Sequence, residues 1–230
     1  REDSRKDAAF VRDLAARWRL PVTVERRDVG TICAREGWSL EEGARRVRYE
    51  FLLEVARQAS ARYLVLAHTA DDQAETVLMR LVRGTGLLGL SAIPVKRRLE
   101  ETWVVRPLLE VWREEILAFL ASEHIAHCED ATNADGRFVR NRIRHELLPM
   151  LERDYNPNIK TALTQLAEQS TCDYAYLQEA ADRQWKRMVK TLLPTAVSIA
   201  VPQFLRQPKA LQRQLVRRAI QRVRGELARF

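Results

Sequence analysis

A histidine and three acidic residues gather at the start of one helical segment of this chain. An apolar run, Tyr63 to Ala67, ends at His68, and carboxylates follow at Asp71, Asp72 and Glu75. The run is short and β-favouring, as expected for a strand buried on both faces. Asp72 and Glu75 are three residues apart and therefore share one face of the helix. Because open α/β sheets bind ligands at the carboxyl ends of their strands, these side chains are candidates for chemistry.

The helix that carries the acids is expected to be amphipathic. Its apolar positions recur at helical spacing and predict a buried face, Ala74, Val77, Leu78 and Leu81. Four residues at i, i+3, i+4 and i+7 fall on roughly the opposite face, which is expected to be exposed: Asp72, Glu75, Thr76 and Met79. Capping is an alternative explanation, because Thr69-x-x-Asp72 has capping-box spacing and acids suit the first turn of a helix. Capping does not explain the acid at Glu75.

A glycine-rich segment, Arg83 to Leu90, follows this helix. Gly84, Gly86 and Gly89 match G-x-G-x-x-G, but the dinucleotide fingerprint follows a strand and opens a helix. The context therefore argues against a nicotinamide or flavin site. Two interpretations stay open: a glycine C-cap with a turn, or a loop whose backbone approaches a ligand closely.

Two groups of arginines suggest contact with phosphate. The first group lies on one helical stripe, Arg137, Arg140 and Arg144, with Arg142 projecting elsewhere. The alternative for this group is a solvated helix, or ion pairs to Glu129 and Asp130. The second group forms one side of the last helix, Arg206, Lys209, Arg213, Arg217, Arg218, Arg222 and Arg224. The other side of that helix is apolar, with Leu211, Leu215, Ala219, Val223 and Leu227, so a solvated basic face is the alternative there.

These motifs resemble the tRNA(Ile)-lysidine synthetases, a family of N-type ATP pyrophosphatases in the PP-loop superfamily. The matching segments are His68 to Gly86, Asp130 to Asp135, Phe138 to Pro149 and Arg106 to Leu109. The resemblance runs from about Arg1 to at least Pro149. It implies a ligase that uses ATP, with Mg²⁺, to adenylate the C2 oxygen of the wobble cytidine in the CAU anticodon of tRNA-Ile. The ε-amine of L-lysine then displaces AMP and gives lysidine.

The resemblance also assigns roles to residues. It implies that Asp72 and Glu75 recognise lysine, and paired carboxylates do suit an ammonium group, which has three donors and no acceptor. His68, Asp71 and Arg106 join them as catalytic candidates, and Arg83, Gly84 and Gly86 are expected near ATP or the cytidine. The tRNA-binding candidates are Arg140, Asn141, Arg142 and Arg144, to which charge alone adds Arg213 and Arg217. Two alternatives remain: another PP-loop tRNA-modifying enzyme of the thiolase kind, and a non-catalytic RNA-binding fragment.

One family motif is missing. The ATP-binding loop Ser-Gly-Gly-x-Asp-Ser, which lies N-terminal to these segments in the family, does not occur in the chain, which opens at Arg1. We therefore expect a fragment without the first βα unit, inactive when isolated.

Charge and cysteine content favour a protein that binds an acidic partner and argue against a disulfide-stabilised one. Lys and Arg number 39 against 31 Asp and Glu, a net charge of +8 that favours an acidic partner such as tRNA. The three cysteines include no C-x-x-C pair, which argues against disulfides and for the reducing cytoplasm. No membrane span and no signal peptide are expected. A metal site is not expected either, although His124, His127 and Cys128 are residue types that bind zinc. A homodimer is left open.

The order of elements predicts an α/β fold with a parallel, Rossmann-like sheet, followed by a mostly helical domain. We place the ATP pyrophosphatase-like domain at 1–153 and the helical tRNA-binding domain at 154–230, with the turn-rich break at 154–158 between them. A strand is expected at Pro21–Val29 and a hairpin at Ile93–Arg106. Helices are expected at Asp7–Trp18, Ser39–Ala59, Glu110–Ser122 and Val139–Leu151.

Overall fold

A three-stranded sheet lies at the centre of the first part of the chain. In the computed structural model, which describes residues 2–128, 139–193 and 195–224, β1 (Tyr63–Val65) runs parallel to β3 (Thr102–Val105). The hairpin partner β2 (Lys96–Leu99) runs antiparallel to β3, so the strand order is β1-β3-β2. The predicted hairpin is therefore confirmed. The parallel pair is the β-crossover-β arrangement expected of an α/β fold.

Helices connect and flank these strands. Ser39 begins the long helix as predicted, because its Oγ accepts a hydrogen bond from the Glu42 amide at 3.3 Å. The helices of this part are α1 (Glu2–Arg17), α2 (Val29–Glu36), α3 (Leu40–Gln58), α4 (Ala70–Arg83), the single turn α5 (Leu87–Leu90) and α6 (Arg113–Ser122). After the undescribed residues come α7 (Val139–Arg142), a π-helical turn (Ile143–Leu147) and α8 (Leu148–Asp154).

One predicted strand is absent, and the predicted burial of another is wrong. The segment Pro21–Val29 forms no strand, and Val22 and Val24 are exposed. Alternating side chains favour a strand only where a neighbouring strand supplies backbone hydrogen bonds. None of the described residues forms strand pairing with this segment. The strand β1 is also not buried on both faces, since Tyr63 is 48% and Val65 61% exposed. Both side chains lie on the same face of the sheet, and that face is open in the described structure.

The chain divides into two compact units, residues 1–79 with 93–161, and residues 80–92 with 162–230. In the second unit the long helix α9 (Ile159–Met188) leads into a hairpin, β4 (Val189–Leu192) and β5 (Val197–Ile199). Two helices follow, α10 (Val201–Leu205) and α11 (Lys209–Arg224). The predicted break is present between α8 and α9, and the domain boundary placed at it stays a prediction. No helix among the described residues is both long and apolar enough to cross a membrane.

The second unit has a small apolar core of its own. Leu215 of α11 is fully buried, and it packs with Ala181, Trp185 and Met188 of α9. The hairpin side chains Val197 and Ile199 cover this core from one side. The apolar side predicted for the last helix is therefore confirmed at its centre.

We expect Leu215→Ala to destabilise the second unit by about 2–5 kcal/mol, because truncation leaves a cavity in a closed core. The matched control is Leu205→Ala, since Leu205 is 64% exposed and its loss should change stability by less than about 0.5 kcal/mol. Urea unfolding followed by tryptophan fluorescence measures both, and equal stabilities would contradict this packing.

Candidate active site

The helix α4 begins with the predicted cap. The Thr69 amide donates to Asp72 Oδ2 at 2.9 Å, and the Asp72 amide lies 3.5 Å from Thr69 Oγ1. These reciprocal contacts satisfy backbone donors that a helix start leaves unpaired. The capping interpretation of Asp72 is therefore correct, but the cap uses only one of the two carboxylate oxygens of Asp72.

The other oxygen and the whole Glu75 carboxylate pair with arginines. Arg140 Nη2 donates to Asp72 Oδ1 at 2.7 Å, and Arg140 Nε donates to Glu75 Oε2 at 2.8 Å. Arg144 holds Glu75 with both sides of its guanidinium, Nε to Oε1 at 2.5 Å and Nη2 to Oε2 at 3.1 Å. We call these four side chains the acid–arginine cluster. Its two negative and two positive charges balance.

The expected exposure of this face of α4 was wrong. Glu75 is only 2% and Thr76 6% exposed, and the side chain of Asp72 is 19% exposed. The apolar side holds Ala74, Val77 and Leu78 in the core as predicted, whereas Leu81 is 43% exposed. The helix is thus buried on two sides in its first two turns. A carboxylate can be buried there because the arginines compensate the lost hydration with charge-assisted hydrogen bonds.

The π-helical turn after α7 helps to carry the arginines. Its first residue, Ile143, is 4% exposed, and Leu148, the first residue of the helix that follows, is 3% exposed. Buried apolar side chains therefore anchor the segment on both sides of Arg144. Such a turn is wider than an α-helix and recurs at functional sites. Arg142 points elsewhere, as predicted, and lies 3.9 Å from exposed Glu146, while Asn141 is partly buried. Arg137, Glu129 and Asp130 lie outside the described residues.

His68 and Arg106 are two further polar side chains of this region, Arg106 buried and His68 half-buried. Arg106 is 3% exposed, and it donates to the Pro94 carbonyl at 2.7 Å and lies 3.4 Å from the Tyr49 hydroxyl. Burial lowers the pKa of His68 below its ordinary 6.5; Asp72 offsets this in part, whereas the charges of Arg106 and Arg140 add to it. The imidazole is therefore neutral at pH 7. His68 Nδ1 and Arg106 Nε find no hydrogen-bond partner among the described residues.

Asp71 faces a different set of partners from Asp72. One oxygen accepts a hydrogen bond from the Arg113 amide at the start of α6, at 2.8 Å. The other lies 3.8 Å from Lys160 Nζ, which is also 3.8 Å from Glu152. Asp71 therefore tethers α6 to α4. No motif in the sequence pointed to its lysine partner. A cavity of about 200 Å³, walled in part by Trp112, adjoins these side chains.

The glycine segment belongs to the second unit. Gly84 has φ +79° and its amide donates to the Leu81 carbonyl at 3.0 Å, which confirms the C-cap interpretation. A side chain at Gly84 or Gly86 would meet nothing within 4 Å, so the space beside both backbones is open. Arg83 is exposed at the end of α4. Their predicted closeness to ATP or the cytidine stays a prediction.

The arginines of the last helix rim an apolar groove. The groove has a volume of about 460 Å³ and is lined by Phe204, Val216 and Ile220. Arg213 and Arg217 stand at its edge, and Arg213 is exposed. Arg218 instead pairs with Asp182 and lies over the Trp185 ring, with its Cζ 5.3 Å from the ring centroid. Of the predicted basic side of this helix, Arg213 is thus exposed to solvent, whereas Arg218 packs against the second unit's own side chains.

We expect Glu75→Gln to destabilise the protein by up to about 3 kcal/mol, because it removes the buried negative charge with which the half-buried Arg140 and Arg144 both pair. The matched control is Glu101→Gln, since Glu101 is 92% exposed in its pair with Arg98 and should contribute less than about 1 kcal/mol. Urea unfolding measures both changes. Similar small losses would show that the acid–arginine cluster adds nothing to the fold.

We also expect a pH dependence from His68. Because its folded pKa is lowered, its contribution to the free energy of unfolding is present above pH 6.5 and is lost as the pH falls through the folded pKa. His68→Gln removes this contribution, so wild type should lose its advantage over the variant as the pH falls below about 6.5. His127→Gln, at an exposed histidine, is the control. A stability difference that does not change with pH would contradict the burial of a neutral imidazole.

Comparison with known proteins identifies the family of this chain. Residues 1–151 match the family model of the PP-loop domain. The tRNA(Ile)-lysidine synthases of Geobacter sulfurreducens and Symbiobacterium thermophilum are 42% and 40% identical, over 99% and 97% of this chain but 48% and 47% of their own lengths. The chain thus spans about half the length of these curated relatives. It covers 69% of the Nostoc tRNA(Ile)-lysidine synthase at 34% identity.

A solved structure shares the fold. The U34-tRNA thiolase NcsA from Methanococcus maripaludis, solved with its 4Fe-4S cluster, superposes with a TM-score of 0.51 at 13% identity. The match covers 71% of this chain and 55% of the thiolase. At that identity the likeness shows the α/β fold alone. The extent of the family match and the identity to the Nostoc protein together show that the chain belongs to the tRNA(Ile)-lysidine synthase family of PP-loop proteins.

Proposed function

We propose that the protein containing this chain is a ligase that makes lysidine in tRNA-Ile. In this reaction the C2 oxygen of the wobble cytidine attacks the α-phosphate of ATP, and pyrophosphate leaves. The ε-amine of lysine then attacks C2, and AMP leaves with the former C2 oxygen. The observation that carries this proposal is the match to tRNA(Ile)-lysidine synthases over nearly the whole chain.

The site geometry supports recognition of an amine. Asp72 Oδ1 lies on the partly open side of the acid–arginine cluster, where it accepts from the guanidinium of Arg140, and an ammonium needs acceptors of the same kind. The amine must lose a proton before it attacks. His68 is a base candidate, because burial keeps its imidazole neutral at pH 7 and Nδ1 lacks a partner among the described residues.

A protein-held magnesium ion has less support. Within the described ranges no group of three or more His, Cys, Asp or Glu side chains is placed to hold a metal ion. The carboxylates of Asp72 and Glu75 are already paired with arginines. The donors among the described residues therefore do not fit a resident Mg²⁺, and we assign the ion to the ATP complex that enters as substrate.

The full-length protein, incubated with tRNA-Ile, ATP and lysine, tests the proposed function. Nucleosides from the digested tRNA are then identified by mass spectrometry. We expect a cytidine that has gained lysine with loss of water, and AMP release that needs tRNA. Gain of sulfur would favour the thiolase alternative, and unmodified tRNA that nevertheless binds would favour an RNA-binding module.

We expect Asp72→Asn to raise the KM for lysine about tenfold or more, since a hydrogen bond to a charged group contributes about 1.5–3 kcal/mol. Asparagine keeps an oxygen for the cap with Thr69, so the change tests charge at one oxygen rather than the start of the helix. The control is Glu101→Gln, the same loss of charge at an exposed site. Unchanged lysine kinetics in Asp72→Asn would show that Asp72 caps α4 and does not bind lysine.

We expect the pair Arg213→Ala with Arg217→Ala to weaken tRNA binding and flatten its salt dependence. Each lost phosphate contact lowers the slope of log K against log salt by about 0.7 to 0.9. A matched control removes two exposed arginines from the first helices, Arg12→Ala with Arg35→Ala. Affinities measured across a salt series distinguish the two pairs, and equal slopes would make the last helix a solvated face.

A further inference from the structure

Every carboxylate oxygen of the proposed lysine site is already occupied. Asp72 Oδ2 accepts the cap from Thr69, and Asp72 Oδ1 accepts from Arg140. Both oxygens of Glu75 accept from Arg144, and one also accepts from Arg140. An ammonium group has donors but no acceptors, so it must displace a guanidinium before it can bind here.

The two arginines hold the carboxylates differently. Arg144 forks onto Glu75 alone at close distance, and its contact with Asp72 is long, at 3.5 Å. Burial by itself would lower the pKa of Arg144, but the hydrogen bond and charge of Glu75 raise it above its ordinary value. Arg140 instead spans the two acids with one hydrogen bond to each. Arg144 is thus the firmer partner of Glu75.

The point that a ligand can reach is the contact between Arg140 and Asp72. The side chain of Asp72 is 19% exposed and that of Arg140 is 35% exposed, against 2% for Glu75. Exchange at Asp72 Oδ1 would leave the fork between Arg144 and Glu75 unchanged. The buried acid then never loses both of its charge partners, which is the costly outcome for a buried ion pair.

We propose that Arg140 occupies the ammonium position of the empty site and that lysine binds by displacing it from Asp72. Arg140 is therefore a specificity-determining residue: a ligand must supply a positive charge and hydrogen-bond donors to replace it. This inference rests on the proposed function, because it assumes that lysine is the ligand. It divides the cluster into an exchangeable pair, Asp72 with Arg140, and a fixed pair, Glu75 with Arg144.

Lysine affinity of the full-length protein, measured by titration calorimetry, tests the exchange. We expect Arg140→Gln to bind lysine about tenfold more tightly than wild type, because a competing charged hydrogen bond is gone. Arg140→Lys should stay close to wild type, since its own ammonium occupies Asp72. Arg153→Gln removes the same charge at an exposed site and should also match wild type. Thermal unfolding of each variant checks that it is folded.

The outcomes separate the two proposals. Unchanged or weaker lysine binding by folded Arg140→Gln overturns the exchange, while lysine binding by the wild type leaves the proposed function standing. Lysine binding by no form of the protein, wild type included, contradicts the proposed function and the exchange with it.

A measurement on the wild type covers the case in which Arg140→Gln does not fold. Arginine side-chain N–H signals followed by NMR report each guanidinium separately. On addition of lysine, we expect the Nη2–H of Arg140, which donates to Asp72 Oδ1, to lose its protection from solvent exchange and the Nε–H of Arg144, which donates to Glu75, to keep it. Equal retention by both arginines in lysine-saturated protein would overturn the exchange.

Discussion

The burial of one carboxylate, Glu75, constrains much of the first unit. A charged group that is 2% exposed needs partners that replace water, and here they come from a segment 65 and 69 residues later in the chain. The two arginines can reach it only if α7 and the π-helical turn lie against α4. Ion pairing therefore connects two distant stretches of sequence, whereas apolar contacts at Ile143 and Leu148 anchor the same segment.

Local rules predicted the elements that depend on local contacts. The cap at Thr69, the C-cap at Gly84 and the hairpin of β2 and β3 follow from short-range spacing and were confirmed. The strand expected at Pro21–Val29 was not, because a strand needs a hydrogen-bonded neighbour that its own sequence does not specify. The open face at Tyr63 and Val65 has the same origin, since burial depends on what packs above a sheet.

The candidate site shows the same limit. Residue types and helical spacing indicated Asp72 and Glu75 as a pair, and Arg140 and Arg144 as a stripe, before any contact was known. What the pattern did not show is that these pairs meet. The expectation of an exposed acidic face on α4 treated the helix alone, and tertiary charge pairing reversed it at Glu75. Arginines that suit phosphate also suit carboxylates, so their type did not decide between the two partners.

We propose that the acid–arginine cluster binds the amine of lysine. A crystal structure of the full-length protein with bound lysine would show whether it does. We expect the ε-ammonium within hydrogen-bond distance of Asp72 Oδ1, with Arg140 moved away and Arg144 still forked onto Glu75. Lysine bound elsewhere, with both arginines unmoved on the two acids, would contradict it.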